Sequence, residues 1–271
     1  MLNINSNYGA DFAAKAAKST NSQLNTAFER LSSGSRINFA KDDAAGQGIA
    51  TRLSAEVKGL AMAARNAADA QSLVDTADAA HQEATNMLLR MRELAVQAAN
   101  GTLTDADRTA LNTEVTALET EITNMSNNTQ FGGISLAASS AIKFQIGVNN
   151  GDANTVSHTF AKFTATAISA NVDVTSAGSA RNAISTIDAA ISTISTRRGT
   201  LGALSNRLGS VIANLDNIKV NLSSARGRIQ DTDFAVETSN LAKSQIMQQA
   251  ATAMLAQANA SKGSVLTLIQ G

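Results

Sequence analysis

Two histidines, His81 and His158, are the side chains best suited to acid–base or metal chemistry in this sequence, and no cysteine accompanies them. A metal centre or a nucleophile–base pair needs several such groups brought together. Two histidines well apart in the chain supply little material, and no HExxH pattern occurs. Gly46-Gln47-Gly48 lacks the preceding strand that a dinucleotide-binding loop requires. Asp and Glu are scattered along helical stretches with Arg and Lys nearby, which is the pattern of a solvated face. His81 sits beside a helix seam and reads as a packed or solvated residue; His158 reads as a strand residue. These residues point to no catalysis, no cofactor and no metal. The chemistry to expect is burial.

Composition says what kind of burial. The 271 residues contain no Pro, Cys or Trp, and aromatics make up 3% although 44% are hydrophobic, much of that alanine. A compact core of this size would use aromatics as filling and Pro in its loops. Alanine-rich seams suit long helices packed side by side, and a chain without Pro lets them run uninterrupted. Formal net charge is zero with acids and bases mixed, so no nucleic-acid partner and no acidic membrane surface is implied. No apolar run approaches the ~20 residues of a membrane span, so no membrane insertion is expected. The first residues, MLNINSNYGADFAAKAAKS, have neither a basic segment nor an apolar core and do not read as a cleavable secretory signal. Lack of Cys fits the cytosol or an export route without disulfides.

The elements can be read from periodicity. Ala13, Ala17, Leu24, Phe28 and Leu31 share one face of a first helix over 12–31, which Ser32-Ser33-Gly34-Ser35 ends. Asp42 and Asp43 suit the N-terminus of the next helix, 44–100. Its stripe begins Ile49, Leu53, Val57, Leu60, Ala64, Ala67. It continues as Ala70, Leu73, Ala77, Ala80, Ala84, Met87, Met91, Leu94, Ala98, spaced by threes and fours. That is a heptad seam in need of a partner, on a helix ~80 Å long. Thr104-Asp105-Ala106-Asp107 is a capping-box signature opening a third helix to Asn128, antiparallel to the second. Residues 130–176 change character: Gly132-Gly133, then alternating Ile142, Phe144, Ile146, Val148, an Asn150-Gly151 turn, then Val156, His158 and Phe160 predict a β-hairpin. The Ala/Thr-rich stretch from there to 176 is compatible with strand or loop. Helix resumes over 178–230, where Ala180, Ile184, Ile187, Ile191, Ile194, Leu201, Leu208, Ile212, Leu215, Leu222 and Ile229 form the missing partner seam, widened by Leu204, Val211 and Ile218.

The last stretch, 241–270, places Met247, Ala251, Met254, Leu255, Ala258, Val265 and Ile269 on one side of a helix. It closes on Val265, Leu266, Leu268 and Ile269. Leaving four large aliphatics in water forgoes roughly 6–12 kcal/mol of burial. Two coverings are open, this chain's own core or a neighbouring copy. The fold expected is mainly α, an elongated rod of long antiparallel coiled-coil helices with a small β-hairpin region mid-chain and the N- and C-terminal helices paired at one end.

Several motifs carry a resemblance. ERLSSGSRIN (29–38) running into AKDDAAG (40–46), RMRELAVQ (90–97), TQFGG (129–133), ARGRIQDTDFA (225–235), QQA (248–250) and VLTL (265–268) strongly resemble bacterial flagellin, in order and over nearly the whole chain. The resemblance implies a secreted, extracellular subunit that self-assembles into the helical flagellar filament for motility. It leaves the cell unfolded by type III export and polymerises through its terminal helices. Leu24, Phe28, Leu31, Met247, Met254, Leu255, Val265, Leu266, Leu268 and Ile269 would pack between subunits. Residues 1–43 and 234–271 would form an inner core, 44–129 and 178–233 an outer rod, and 130–177 the hairpin region, without large outer domains. Implied partners are further copies, other flagellins that co-assemble, an export chaperone, hook-associated and cap proteins, and the toll-like receptor of animals. That receptor would meet Arg90, Leu94, Gln97 and Glu114, beside Leu89 where the family usually has Gln. A hook-filament junction protein resembles the same ends but typically has Pro after the two aspartates, where this chain has Ala44. A surface adhesin presenting residues 142–163 is the reading from another class.

Overall fold

The computed structural model describes residues 6–137, 141–167 and 170–270, without the side chains of 262 and 264–270. The chain divides into two compact units, Met1–Ala55 with Asn221–Gly271, and Glu56–Val220. Its helices are α1 (Tyr8–Ser33), α2 (Ala44–Ala98), α3 (Asp105–Asn128), α4 (Ala177–Gln230) and α5 (Phe234–Gln270). Its strands are β1 (Gln130–Phe131), β2 (Ile134–Ser135), β3 (Ala141–Gln145) and β4 (Thr155–Thr159). The fold is mainly helical with a small antiparallel strand region, as periodicity implies.

In the second unit α2 and α4 are antiparallel. Arg92 meets Asp188 at 2.7 Å, Arg198 meets Asp78 at 2.8 Å, and Gln71 bonds Ser205, so positions rise along one helix as they fall along the other. α3 folds back on α2, with Arg90 at 2.9 Å from Glu114. The connection is closed by buried Arg108, whose guanidinium donates to the carbonyls of Ala98 and Asn100 at 3.0 Å each and so satisfies the exposed end of α2. Leu88, Met91, Leu94, Val115, Ile122, Ile187 and Ile194 form the core among the three helices. A second cluster joins Leu73, Val74, Leu201 and Leu208 to Val156 and Phe160 of the strand region. The heptad reading holds here, and fails at two ends of the stripes: Ile49 and Ile218 are exposed.

The capping box at the start of α3 is present. Thr104 Oγ1 accepts from the Asp107 N–H, and Asp107 Oδ2 accepts from the Thr104 N–H at 2.9 Å. Hydrogen bonds from the Thr104 hydroxyl and amide hold the Asp107 carboxyl below its ordinary range. Thr104→Ala is expected to lower the stability of the second unit by about 1 kcal/mol, measured by urea unfolding followed by circular dichroism.

The strand region differs from the expected hairpin. β3 and β4 pair with Ile142 opposite His158 and Phe144 opposite Val156, but the strand stops at Gln145. A longer connection with a short 3-10 turn, Asp152–Asn154, replaces a two-residue Asn-Gly turn. Gln145 Nε2 donates to the carbonyls of Gly147 and Asn149, which curls the chain away from the ladder. Val148 instead packs on α2 where Gly59 leaves room: a Cβ there would lie 2.7 Å from Val148 Cγ1. The two-residue turn is at Gly132-Gly133, both at positive φ, between β1 and β2.

Beyond β4 the chain is an irregular strap laid along α3. Asn112, Glu119, Thr123 and Ser126, one polar stripe of α3, accept from the backbone N–H groups of Val174, Val172, Ala165 and Phe163. Backbone groups of a loop without a ladder are thereby satisfied by side chains. Phe163 and Val174 point the other way, into the core.

In the first unit α1 ends at Gly34, whose φ of 69° is the left-handed cap and whose N–H returns to the Arg30 carbonyl. Asp43 caps α2 through the Gly46 N–H at 2.7 Å. Asp42 does something else: its carboxylate accepts from the N–H groups of Asn38 and Phe39 and holds the turn before the helix. The entry to α2 and the exit of α4 are tied by backbone bonds, Arg36 N–H to the Gln230 carbonyl at 2.7 Å and Thr232 N–H to the Gly34 carbonyl at 3.0 Å.

Candidate functional site: the terminal helix pair

α1 and α5 run antiparallel, with Asn7 donating to the Ala258 carbonyl at one end and Arg30 beside Glu237 at the other. Their backbones approach within 8 Å along the pair. The residues that meet are small or polar. Ala13, Thr20 and Ala27 of α1 are buried, as are Glu237, Ser244 and Ala251 of α5, with Leu24, Leu31, Leu255 and Ala258 half-buried. Small side chains let helices close in but bury little apolar area, on the order of 0.8 kcal/mol per methylene-sized group. The seam is also polar at this end: Arg30 Nε is buried without a partner and its guanidinium stands 3.8 Å from Glu237. An open cavity of about 360 Å³ lies there, lined by Thr26, Arg30, Glu237, Asn240 and Lys243 among others.

This geometry divides the stripe expected on α5. Ala251, Leu255 and Ala258 turn toward α1, so the helix does dock on its own chain. Met247 and Met254 do not: they are 51% and 64% exposed. Val236, also exposed, joins them at spacings of eleven and seven residues, which places all three on one line of the helix about a quarter-turn from the seam. Ile246, a further quarter-turn round, and Phe234, on the other side of the seam, are also exposed, as are Tyr8, Phe12 and Phe28 on α1, Phe12 at 76%. Periodicity identified an apolar arc wider than one partner helix covers, and could not say which edge would be taken. The side chains of Val265, Leu266, Leu268 and Ile269 lie outside the described residues; the α5 backbone is helical to Gln270.

The second unit holds the other residues singled out. Arg90 and Glu114 are exposed and brought together by the 2.9 Å ion pair, with Glu93 bonding Arg90 from the next turn. Gln97 and Leu89 are exposed on α2, whereas Leu94 is buried at 1% and serves the core. His158 is half-buried in β4, and His81 is buried with its ring 4.5 Å from that of Phe163. Burial, and next the positive charge of Arg197, push the His81 pKa down to about 4, against an opposing pull from Asp78. An unfolded chain therefore takes up this proton at higher pH than the folded one. Stability is full above the ordinary value of about 6.5 and falls as pH drops toward 4, by up to about 3 kcal/mol. His81→Leu is expected to flatten that slope in a series of urea titrations across pH 4–7.

No group of three or more His, Cys, Asp or Glu among the described residues could hold a metal ion, and no described helix is long and apolar enough to cross a membrane. The arrangement is one of helices and surfaces. Known proteins with this arrangement are specific in kind. The bacterial flagellin N-terminal helical region matches residues 4–141 and the bacterial flagellin C-terminal helical region matches 184–269. Flagellin A of Vibrio cholerae is 33% identical over 377 aligned positions, 99% of this chain and all of that one. The alignment is longer than the chain, so that relative carries segments this one lacks. Flagellin of Halalkalibacterium halodurans is 40% identical over 248 positions, 90% of this chain and 91% of that one. The crystal structure of Bacillus cereus flagellin is similar with a TM-score of 0.51 and 32% identity, covering 56% of this chain and 88% of that one. With two family regions in order, a paired set of terminal helices and an apolar line left uncovered, the chain belongs to the bacterial flagellin family and is a structural subunit of the flagellar filament.

Proposed function

We propose that the filament is held together by the uncovered surfaces on either side of the α1–α5 seam, with Val236, Met247 and Met254 of α5 and Phe12 and Phe28 of α1 buried by neighbouring copies. The observation behind this is the exposure of those residues beside a seam whose buried side chains are alanine, serine, threonine and Glu237. A pair with so little apolar area of its own gains most from association, because each large side chain covered contributes about 1.5–3 kcal/mol. We assign Val265, Leu266, Leu268 and Ile269 to packing between copies as well, and Leu24, Leu31 and Leu255 are half-buried beside the seam. Residues 1–43 with 234–271 make the inner core of the filament, and the helices of 44–129 and 178–233 the layer around it.

The same surface accounts for the chaperone, the proteins at the filament ends and the co-assembling flagellins. Before assembly α5 needs an export chaperone to cover it during type III secretion, and at the filament ends hook-associated and cap proteins take the place of a missing copy. Other flagellins co-assemble where their terminal helices match. An animal toll-like receptor meets the exposed Arg90, Gln97 and Glu114, with Leu94 beneath them as support.

Purified chain imaged by negative-stain microscopy at rising concentration and salt should form filaments. Removal of 265–271 should abolish them while circular dichroism retains the helices of the second unit. Normal polymerisation of the truncated chain would overturn the assignment of the α5 end to assembly.

A further inference from the structure

A separate feature lies within the second unit. Between α2, β4 and α4 lies a cavity of about 60 Å³ lined by His81, His158, Thr159, Phe160, Arg197 and Thr200. That is room for a few water molecules or one compact ion. His81 is 6% exposed, and its Nδ1 is buried without a hydrogen-bond partner. Phe163 packs on the His81 ring and Phe160 meets the His158 ring edge-on at 4.7 Å, so both imidazoles are held in place.

The charges around the cavity do not balance. Arg197 donates from Nη1 to the Lys162 carbonyl and, among the described residues, makes no ion pair with a carboxylate. Asp78, the acid whose field reaches His81, is taken by Arg198 at 2.8 Å, which also bonds Gln82. A half-buried guanidinium that faces no carboxylate, its charge opposed by burial, is stabilised by any anion that fits. His158 from β4 and Arg197 from α4 thus line the cavity with His81, while Asp78 from α2, already neutralised, and Arg198 from α4 reach His81 through their charges.

We propose that this cavity binds one small inorganic anion, held by the Arg197 guanidinium and an N–H donated from His81 Nδ1. A neutral imidazole with its proton on Nδ1 provides that donor, and a second proton strengthens the site by adding charge. Anion and proton therefore bind with mutual support: an anion raises the proton affinity of His81, and acid tightens the anion. The ligand is a halide or a single tetrahedral dianion by size; organic carboxylates such as gluconate are too large.

The test is thermal melting of the full chain by circular dichroism at constant ionic strength, with sodium gluconate replaced stepwise by sodium sulfate in one series and by sodium chloride in another. At least one ion should raise the melting temperature along a saturating curve. In Arg197→Gln its half-saturation should move up by about tenfold or more, the loss of one charge-assisted hydrogen bond. Arg207→Gln on an exposed face of α4 should leave the curve unchanged. Sulfate also stabilises proteins generally, but that rise does not saturate and is shared by the variants. On the unmodified chain the half-saturation should fall as pH is lowered from 7 to 5, a range in which neither ion changes charge. No saturating rise over gluconate with either ion would overturn the proposal and leave a water-filled cavity. So would a rise that Arg197→Gln retains in full, or one that weakens toward pH 5.

Discussion

Replacing both Met247 and Met254 by aspartate is expected to abolish filament growth while leaving the melting of the monomeric chain within about 0.5 kcal/mol of the unmodified protein. Both side chains are mostly in water in the single chain, so carboxylates there disturb no packing. In a filament each would be enclosed. Two methionine burials of about 1.5–3 kcal/mol each are lost, and each buried, unpaired carboxylate adds a desolvation penalty of several kcal/mol. A total above ~4 kcal/mol raises the concentration needed for polymerisation by at least about a thousandfold, beyond practical reach. Sedimentation of polymer from a concentration series measures it. A double variant that polymerises at the original concentration would mean that this line of α5 faces solvent in the filament, and the flank assigned to assembly would be wrong.

Ile187→Ala is expected to have the opposite profile. Ile187 has no exposed surface and sits where α2, α3 and α4 meet. Removing its outer carbons costs their transfer energy plus the cavity left behind, about 2–5 kcal/mol, a large share of a domain's ~5–15 kcal/mol. Ile218→Ala on the same helix, at a position 38% exposed, is the matched comparison and should cost under about 1 kcal/mol. Urea unfolding of the two variants gives the difference directly. Filaments should still form from Ile187→Ala at temperatures where the second unit remains folded, because the residue lies far inside one subunit's own core. Equal midpoints for the two variants would contradict the three-helix core.

The two variants separate surfaces that look alike in one dimension. Ile187, Leu208 and Met254 are all large apolar residues on helical stripes, yet the first two are enclosed within the chain and the third is not. The order of the helices, the capping box of α3 and the heptad seam of α2 against α4 were legible because they depend on local spacing, although the first and last helices begin four and seven residues earlier than periodicity placed them. The motifs that resemble flagellin were legible as short runs of particular residues, and the matched family regions contain them. The cysteine-free, histidine-poor character of the chain was plain from its composition.

Other features depend on what the folded chain brings near. Asp42 and Asp43 are adjacent carboxylates, but only the path of the turn gives Asp43 to α2 and Asp42 to the loop before it. The strap after β4 has no periodicity of its own, and it is fixed by four side chains of α3 distant in sequence. His81 becomes an unpaired buried base because Phe163 and Arg197 arrive from elsewhere. Sequence alone determined which helices form and that their apolar arcs exceed a single partner, since periodicity is a local property. Tertiary structure decided which edge of each arc is closed within the chain and which is left for another copy, because that choice depends on side-chain size at the contact: alanine and serine let α1 and α5 approach closely along one edge, and the methionines are left on the other.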